Sequence, residues 1–409
     1  MIALTTSTSP RRQRGFSLVE LMVSVVIGLL ALVFATRLML GGEQSKQGSL
    51  GGSDAMQNGM LALFSISNDL AQSGFGLNDP IVAGCNTVFS DSNGYQLDTA
   101  TRGASTIRPL GAVVINNVAG GSDRISTYSG SSLTGTGTLG ITDYPGAGII
   151  NVDRVPYGFN QGDVVLAAPD APADGGDCAI AMVNTDPRLL LPPPSQQFIN
   201  IGGVGGRFST GTLGAPMVSS RSRLFNLGPA ANLSFHTWSV SGGFLQLRAT
   251  DLAGASAAPT TVIDNVVALK AQYGFDMRAE AIFNDDQTGV QQTGLVISRW
   301  SSTMMDADND GISGDPDDYQ RMAAVRIAVV ARSPSPEKPV DGVCDATPAA
   351  MSVFTTNEPS GIAAVPVPVT LAVTGDTVDW KCYRYRVFET IVPLRNVGWR
   401  PTATMPTNP

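Results

Sequence analysis

The sequence predicts an α+β protein in which a long N-terminal helix, crossing a membrane with its first part, precedes a loop-rich β body. Three observations support this class. An apolar run extends from Phe16 to Leu40, apolar residues then recur at helical spacing as far as Leu70, and short β-prone segments with Gly- and Ser-rich turns follow from Leu77. The predicted division is a leader over 1–15, a helix over 16–73 with its membrane part over 16–40, and a β-rich extracytoplasmic region over 74–409.

The apolar run is long enough to cross about 30 Å of hydrocarbon as a helix. Three arginines, Arg11, Arg12 and Arg14, precede it. Because positive flanks stay in the cytoplasm, the rest of the chain is expected on the far side of the membrane. One carboxylate, Glu20, lies inside the run. A charge at the membrane centre costs about 2.5–3.5 kcal/mol, so an acid at this place is expected to have a function.

A processing signal is predicted at the junction of Gly15 and Phe16. A secretory signal is cut after its apolar region, whereas this junction precedes the apolar run. Gly15, Phe16 and Glu20 together resemble the leader of type IV pilins and type II secretion pseudopilins. The resemblance implies that a prepilin peptidase cleaves after Gly15, that Phe16 is then methylated, and that Glu20 directs assembly. A neighbouring protomer's free amine would pair with Glu20 and fix the axial register. A plain signal anchor is the alternative.

The helix is expected to continue beyond the membrane with an interruption. Glycine pairs at 41–42 and 51–52 predict a bend or a locally melted turn, because each internal Gly costs about 1 kcal/mol relative to Ala. Helical spacing then resumes, and Gly74 predicts a helix end near Ser73. The apolar face expected to pack on a sheet consists of Met56, Met60, Leu63, Phe64 and Leu70.

Composition indicates an exported protein. Only 15% of the residues are charged and the net charge is −8, so the chain has no basic surface for nucleic acid. The four cysteines form no Cys-x-x-Cys pair and the single His236 is distant from them, which argues against zinc. Two disulfides are expected in an oxidising compartment. Sequential pairing, Cys85 with Cys178 and Cys344 with Cys382, is favoured because it keeps each loop within one half of the body. Other pairings and free thiols remain open.

The region beyond the helix reads as short strands and long turns. Ser241-Gly242 between two alternating segments predicts a hairpin. The predicted strands lie over 112–115, 124–128, 163–167, 233–240, 243–248, 262–276, 322–333 and 383–396.

Three of these segments, together with the leader, are similar to the PilW family of minor pilins. They contain Tyr273-Gly274-Phe275-Asp276, Val325-Arg326-Ile327, and a terminal element with alternating Phe388, Thr390 and Val392 before Leu394-Arg395-Asn396. The resemblance implies a type IV pilin-like fold, with the long helix packed on an antiparallel sheet and an enlarged β body. Pro393 departs from the pattern and predicts an edge or bulge position. The chain also continues beyond the usual end of the family to Pro409.

An acidic run between two predicted strands is similar to the start of a calcium loop. Asp306, Asp308 and Asp310 occupy positions one, three and five, a glycine follows at six, and Asp317 falls at position twelve. Oxygen ligands at this spacing can converge on one hard cation. Position twelve is Asp where Glu is usual, and no helix pair flanks the loop. Ca²⁺ is thus predicted as a ligand, with a solvated acidic turn as the alternative and no cofactor required.

Catalysis is not predicted. The sequence contains no Gly-x-Ser-x-Gly elbow and no P-loop, and His236 falls within a predicted strand, where an exposed or packed histidine is expected.

The resemblance implies a minor pilin that primes type IV pilus assembly and sits at or near the pilus tip. Its partners would be other minor pilins, the major pilin, the prepilin peptidase and the bacterial inner membrane, from which the protein would pass to the fibre at the cell surface. Two alternatives remain: a type II secretion pseudopilin of the tip complex, and a membrane-anchored calcium-binding adhesin. Glu20 and the Gly15–Phe16 junction favour assembly over the adhesin, since a mere anchor needs neither.

Overall fold

A computed structural model describes residues 17–132, 138–146, 148–169, 178–187, 197–202, 206–208, 222–278, 294–339 and 341–397. The chain forms two compact units, one up to Gly51 and one from Gly52 onward.

The N-terminal helix α1 extends over Leu18–Gln72, 55 residues. The helix is continuous through the glycines at 41–42 and 51–52, so the expectation of a locally melted turn is wrong, while the expectation of a bend stays a prediction. A glycine lowers helix propensity by about 1 kcal/mol but does not remove a backbone hydrogen bond, and the flanking residues hold the helical path. The helix ends next to Gly74, which has a positive φ of 80°. This C-terminal end agrees with the glycine signal in the sequence.

In the part of the chain that the structure describes, the body contains short strands and a short helix, α2 (Pro316–Tyr319). The strands, in chain order, are β1 (Cys85–Val88), β2 (Ala100–Arg102), β3 (Ser105–Ile107), β4 (Pro109–Leu110), β5 (Val113–Asn116), β6 (Arg124–Ser129), β7 (Leu139–Gly146), β8 (Ile149–Val152), β9 (Asp163–Ala168), β10 (Cys178–Met182), β11 (Phe198–Asn200), β12 (Arg223–Pro229), β13 (Ser234–Ser241), β14 (Phe244–Ala249), β15 (Thr260–Asp264), β16 (Val266–Phe275), β17 (Arg299–Ser301), β18 (Met322–Arg332), β19 (Met351–Val353), β20 (Val367–Val369) and β21 (Tyr385–Pro393).

Two antiparallel sheets share a core with the second half of α1. The C-terminal sheet has the order β17-β16-β18-β21, and the middle sheet has the order β15-β14-β13-β6-β5. Ile66 and Leu70 of α1 are fully buried in this core together with Tyr273 of β16 and Val325 of β18. The opposite face of the C-terminal sheet is covered by a second apolar cluster that includes Phe354. The sheet is therefore buried on both faces, which explains the almost continuous apolar sequence of β18.

Six strands between β6 and β13 form a small barrel. Their order is β11-β8-β7-β12-β9-β10 within a larger sheet that continues to β1 and β4. Val183, directly after β10, pairs with Ile201, directly after β11. The N–H of Asn184 donates to the Asn200 carbonyl at 2.8 Å, which strengthens this closure. One apolar cluster takes buried side chains from all six strands and fills the interior. The sequence predicted only β9 among these strands.

Two local details differ from the sequence prediction. The segment predicted as one strand over 262–276 is divided at Asn265, which has a φ of 59°. Asn tolerates this left-handed conformation, and the break places β15 in the middle sheet and β16 in the C-terminal sheet. The predicted hairpin is present, but Gly242 and Gly243, both with positive φ, form its turn.

Both disulfides join the cysteines that sequential pairing favours. Cys85 of β1 is bonded to Cys178 of β10, and both are buried. Cys344 is bonded to Cys382 in a short 3-10 helix over Trp380–Cys382. β1 and β10 are paired in parallel, and the other described strand pairs are antiparallel.

Candidate functional site

The membrane segment predicted from the sequence is helical. Leu18–Met39, 22 residues, is long and apolar enough to cross a membrane, and none of it is buried in the protein. Glu20 is exposed in the first turn of α1, within this segment. Gly15 and Phe16 lie outside the described residues, so the processing junction stays a prediction.

The face of α1 that packs on the sheets differs from the one expected. Leu70 is buried and Leu63 packs against the same core, as predicted, and Ile66 is buried with them, but the buried positions before these are small: Ala55, Gly59 and Ala62. A Cβ at Gly59 would overlap the ring of Phe388 on β21. The small side chains therefore let the helix backbone approach the sheet closely.

Three of the large side chains expected in the core lie instead on the outer face of α1. Met56, Met60 and Phe64 follow one another at intervals of four residues and are exposed by 45%, 54% and 70%, with Leu61 beside them at 52%. We call these four residues the apolar stripe. Exposed apolar patches of this kind commonly mark interaction surfaces in soluble domains.

Polar contacts hold this part of α1 in place from both sides. Asn396, in the terminal element, donates its amide N–H to the carbonyls of Gln72 at 3.3 Å and Ser73 at 3.0 Å. These carbonyls are at the helix end, where intrahelical partners are missing. The Asn58 amide donates to the Asp264 carbonyl at 3.1 Å. The terminal Leu-Arg-Asn element thus caps the helix.

His236 of β13 forms the strongest of these anchors. Its Nδ1 is 2.7 Å from Oδ2 of Asp69 on α1, and its Nε2 is 2.8 Å from Oδ1 of Asp251. The indole N–H of Trp238 also donates to Asp69 at 2.7 Å. Burial alone would lower the pKa of His236, but the hydrogen bonds to Asp251 and Asp69 outweigh it and raise the pKa to about 9. A charged imidazolium therefore joins α1 to the middle sheet.

This geometry bears on the question of catalysis. Ser234 Oγ is 3.1 Å from His236 Nε2, so a Ser-His-Asp arrangement is present in outline. With its pKa raised to about 9, the ring keeps both protons near neutral pH and lacks the free nitrogen of a general base. The strand histidine expected from the sequence is thus a packed, ion-paired one.

The acidic run forms a compact loop before β18. Two groups of three carboxylates each bring one oxygen per residue to within 4.8 Å of the oxygens of the other two. The first group is Asp306, Asp308 and Asp318, and the second is Asp308, Asp310 and Asp315. Asp317, expected at position twelve, is exposed in α2 and belongs to neither set. Asp318 is fully buried and was not predicted. It follows Asp317 directly, one residue after position twelve of the loop motif.

Several groups hold the acidic loop against the body. Arg102 of the β2–β3 hairpin donates through Nε to the Gly314 carbonyl at 3.1 Å, and the Gly103 N–H donates to the Ser313 carbonyl at 2.9 Å. The ring of Tyr319 lies in the core against Gly84, where a Cβ would overlap it. The loop is therefore fixed to the core at its C-terminal end.

The electrostatics of the loop favour a counter-charge. Burial raises the pKa of Asp318 to about 7, although the N–H groups of Ala307 and Gly314 donate to its carboxylate. Burial and the neighbouring acid Asp308 raise the pKa of Asp315 to about 6. An all-oxygen set of this kind suits a hard cation such as Ca²⁺.

Comparisons with known families now identify two parts of the chain. The family described as "Type IV Pilus-assembly protein W" matches residues 239–396, which contain the C-terminal sheet, the acidic loop and Asn396. The "Prokaryotic N-terminal methylation motif" matches residues 10–36, which contain Gly15, Phe16 and Glu20. No curated protein and no solved structure matches the chain. These families are structural components of pili, and their two matches occur here in one chain with a membrane-type helix and an antiparallel β body. Residues 239–396 therefore match the PilW family of type IV pilus-assembly proteins and residues 10–36 match the methylation motif, which supports the family resemblance predicted from the sequence.

Proposed function

We propose that the protein is a minor pilin that primes type IV pilus assembly and lies at or near the pilus tip. The observation that carries this proposal is the apolar stripe of α1, with Phe64 exposed by 70%. A helix that merely anchored the body would gain nothing from large apolar side chains in water. Packing against the helices of other minor pilins and the major pilin would bury them, and burial of one such side chain is worth about 1.5–3 kcal/mol.

The stripe can be tested by complementation. Met56→Ser combined with Phe64→Ser is expected to leave membrane insertion intact and to abolish rescue of piliation in a deletion strain. The matched control, Ser53→Ala combined with Gln57→Ala, alters exposed polar residues of the same helix. Full rescue by the stripe variant would refute a role of this face in assembly.

Glu20 is proposed to act at a second contact, inside the membrane. An unpaired carboxylate there is unfavourable, and the methylated amine of Phe16 on a neighbouring subunit would neutralise it after the prepilin peptidase has cleaved the leader. Glu20→Ala and Glu20→Gln should both insert in the inner membrane and both fail to restore pili. Restored piliation by either variant would indicate that Glu20 has no role in assembly.

A type II secretion pseudopilin of the tip complex is the second candidate, because the same leader and helix would serve it. The two roles differ in phenotype: loss of the gene would abolish pili in one case and export of secreted enzymes in the other. In both, the body lies outside the cytoplasm. A membrane-anchored adhesin would instead tolerate the loss of Glu20.

The acidic loop is proposed to bind Ca²⁺. Ca²⁺–oxygen distances of about 2.3–2.6 Å allow ligands on opposite sides of the ion to be about 4.8 Å apart. Each set of three carboxylates meets this limit, with separations within 4.8 Å. Asp308 belongs to both sets, so it is the residue whose loss should matter most. The expected affinity is that of extracellular modules, about 10⁻⁴–10⁻³ M.

Thermal melts of the full chain in detergent test this site. Ca²⁺ at about a hundredfold excess over Kd should stabilise the protein by about 2.7 kcal/mol, and NaCl of equal ionic strength should not. Asp308→Asn should remove the effect, whereas Asp345→Asn, at an exposed position elsewhere, should keep it. If Ca²⁺ does not change the melting temperature of the unmutated protein, the acidic loop is a solvated turn.

A further inference from the structure

A polar cleft lies on the body, apart from the stripe and the acidic loop. Its volume is about 480 Å³, within the range of about 300–1,000 Å³ typical of small-molecule sites. It is formed where the end of β18 meets the turn before the 3-10 helix at Trp380–Cys382. We propose that this cleft binds a neutral hexopyranose unit of a surface glycan. Its polar lining consists of Arg332, Asp376, Thr377, Asp379 and Trp380.

The polar groups on the β18 side are held in fixed positions. Arg332, the last residue of β18, pairs through Nη1 with Asp376, and both side chains are largely buried. The guanidinium lies 4.2 Å from the ring centroid of Tyr383. The Arg332 pair holds the pKa of Asp376 below its usual range, so the acid is a constant hydrogen-bond acceptor. Preorganised groups of this kind lose little entropy when a ligand binds.

The turn on the other side of the cleft is equally constrained. Asp379 accepts the Lys381 N–H at 2.9 Å and so caps the short helix. The disulfide between Cys344 and Cys382 fixes the same helix to the preceding loop. Trp380 is partly buried against the apolar cluster beneath the sheet and lines the cleft with its remaining surface.

The charges of the lining select the class of ligand. The Arg332–Asp376 pair is neutral as a unit, and the Asp379 carboxylate is offset by the Lys381 ammonium, which lies 5.7 Å from the ring centroid of Trp380. This balance leaves no excess charge to attract an anion or a simple cation. A sugar hydroxyl both donates and accepts, so it can bond to a carboxylate and to an N–H or O–H donor of the same cleft. The part of the Trp380 indole that Lys381 does not cover adds an apolar surface for the C–H face of a pyranose ring.

Glycan binding can be measured on the purified full chain. The detergent must be non-glycosidic, because alkyl glycosides would themselves occupy the cleft. Probes are conjugates bearing terminal glucose, galactose, mannose or N-acetylglucosamine, with sialyllactose as an anionic comparison. We expect at least one neutral sugar to bind at millimolar concentration or better, and sialyllactose to bind more weakly. A separate binding experiment with polysaccharide from the producing cells distinguishes a glycan of the cell's own surface from a glycan of another surface.

Two variants assign the binding to this cleft. Asp379→Asn keeps the helix cap but removes the charged acceptor, and Thr377→Ala removes an exposed hydroxyl. Each should weaken binding, the first about tenfold or more. Tyr157→Ala, at a residue of the β8–β9 loop that is 68% exposed, is the control and should bind as the unmutated chain does. The proposal would be overturned if no neutral sugar bound, or if both cleft variants bound sugar as tightly as the unmutated chain. Neither result would affect the pilus role, which is tested by piliation.

Discussion

The ion pairs of His236 predict a raised pKa that can be measured by following a single NMR resonance. The sequence contains one histidine, so a chain labelled only in its histidine ring gives one imidazole signal. In the folded protein the contacts with Asp251 and Asp69 raise the pKa of His236 to about 9, from 6.5 in an unfolded chain. NMR titration of the full chain in detergent, purified without a histidine tag, should therefore give a pKa well above 6.5.

The magnitude of the stabilisation follows from the same shift. A difference between 6.5 and about 9 corresponds to about 3 kcal/mol, since one pKa unit is about 1.4 kcal/mol. The folded-state pKa is raised, so this contribution is fully present below pH 6.5 and is lost as the pH rises through 9. His236→Gln should thus lower the free energy of unfolding by about 3 kcal/mol at pH 6 and by little at pH 10.

Two further variants separate the partners. Asp69→Asn and Asp251→Asn should each lower the pKa of His236, whereas Asp153→Asn, at a surface residue whose carboxylate contacts Arg154 and Gly140, should leave it unchanged. A measured pKa at or below 6.5 in the unmutated chain would refute the ion-paired anchor. So would a destabilisation by His236→Gln that is the same at pH 6 and pH 10.

Three other predictions concern processing, packing and the disulfides. Mass spectrometry of the chain from cells with an active prepilin peptidase should show an N-methylated Phe16 at the N-terminus, and an intact leader would contradict the processing scheme. Gly59→Leu should displace the Phe388 ring and lower the free energy of unfolding by about 1–3 kcal/mol, whereas Gln57→Leu, on the exposed face, should not lower it. Identical denaturation curves for the two variants would argue against the close approach of helix and sheet. Replacing the buried Cys85–Cys178 pair by Ser should cost about 2–5 kcal/mol in chemical denaturation, and non-reducing peptide mapping that finds these thiols free would remove the basis for that loss.

The sequence predicts the elements whose signals are local. The membrane helix follows from a continuous apolar run, and the end of α1 follows from Gly74. The edge position of β21 was indicated by Pro393. Leu394 donates its N–H to the carbonyl of Ala323 on β18. Because successive residues of a strand alternate in direction, the backbone nitrogen of Pro393 faces the open edge of the sheet, where a missing N–H has no cost.

Three of the five residues predicted for the buried face of α1, Met56, Met60 and Phe64, are exposed, because helical periodicity identifies an apolar stripe but not the surface that it packs against. Two stripes coexist on the second half of the helix, one of large residues such as Met60 and Phe64 and one of small residues such as Ala55 and Gly59. Side-chain size suggested that the first is the core. The close contact between Gly59 and Phe388 requires the second, and this contact joins residues more than three hundred positions apart in the chain.

The anchor around His236 was missed for the same physical reason. Asp69 is separated from His236 by 167 positions, and Asp251 by 15. An aspartate near a helix end is ordinarily a solvated residue, so no local pattern distinguishes Asp69. Only the packing of α1 across β13 brings the two acids to opposite sides of one imidazole. Asp318 escaped notice differently, because the calcium-loop spacing fits its neighbour.

The strands that enter and leave the barrel show where it is inserted in the body. It lies between β6 and β13, which pair directly in the middle sheet, with Ser129 opposite Ser234. A chain lacking the barrel could therefore close this hairpin without altering the sheet. The barrel also lies outside residues 239–396, the part that matches the PilW family.

The barrel is nevertheless not a loosely tethered domain. The Cys85–Cys178 disulfide joins β10 of the barrel to β1, outside it. A shared apolar core packs Leu166 and Ile180 of the barrel against Tyr128 and Phe235 of the middle sheet. A hinge at residues 129 and 234 would break this core and expose its aromatic side chains to water. The barrel is thus held in one orientation relative to the middle sheet, so a partner bound by its loops would be presented at a fixed position on the body.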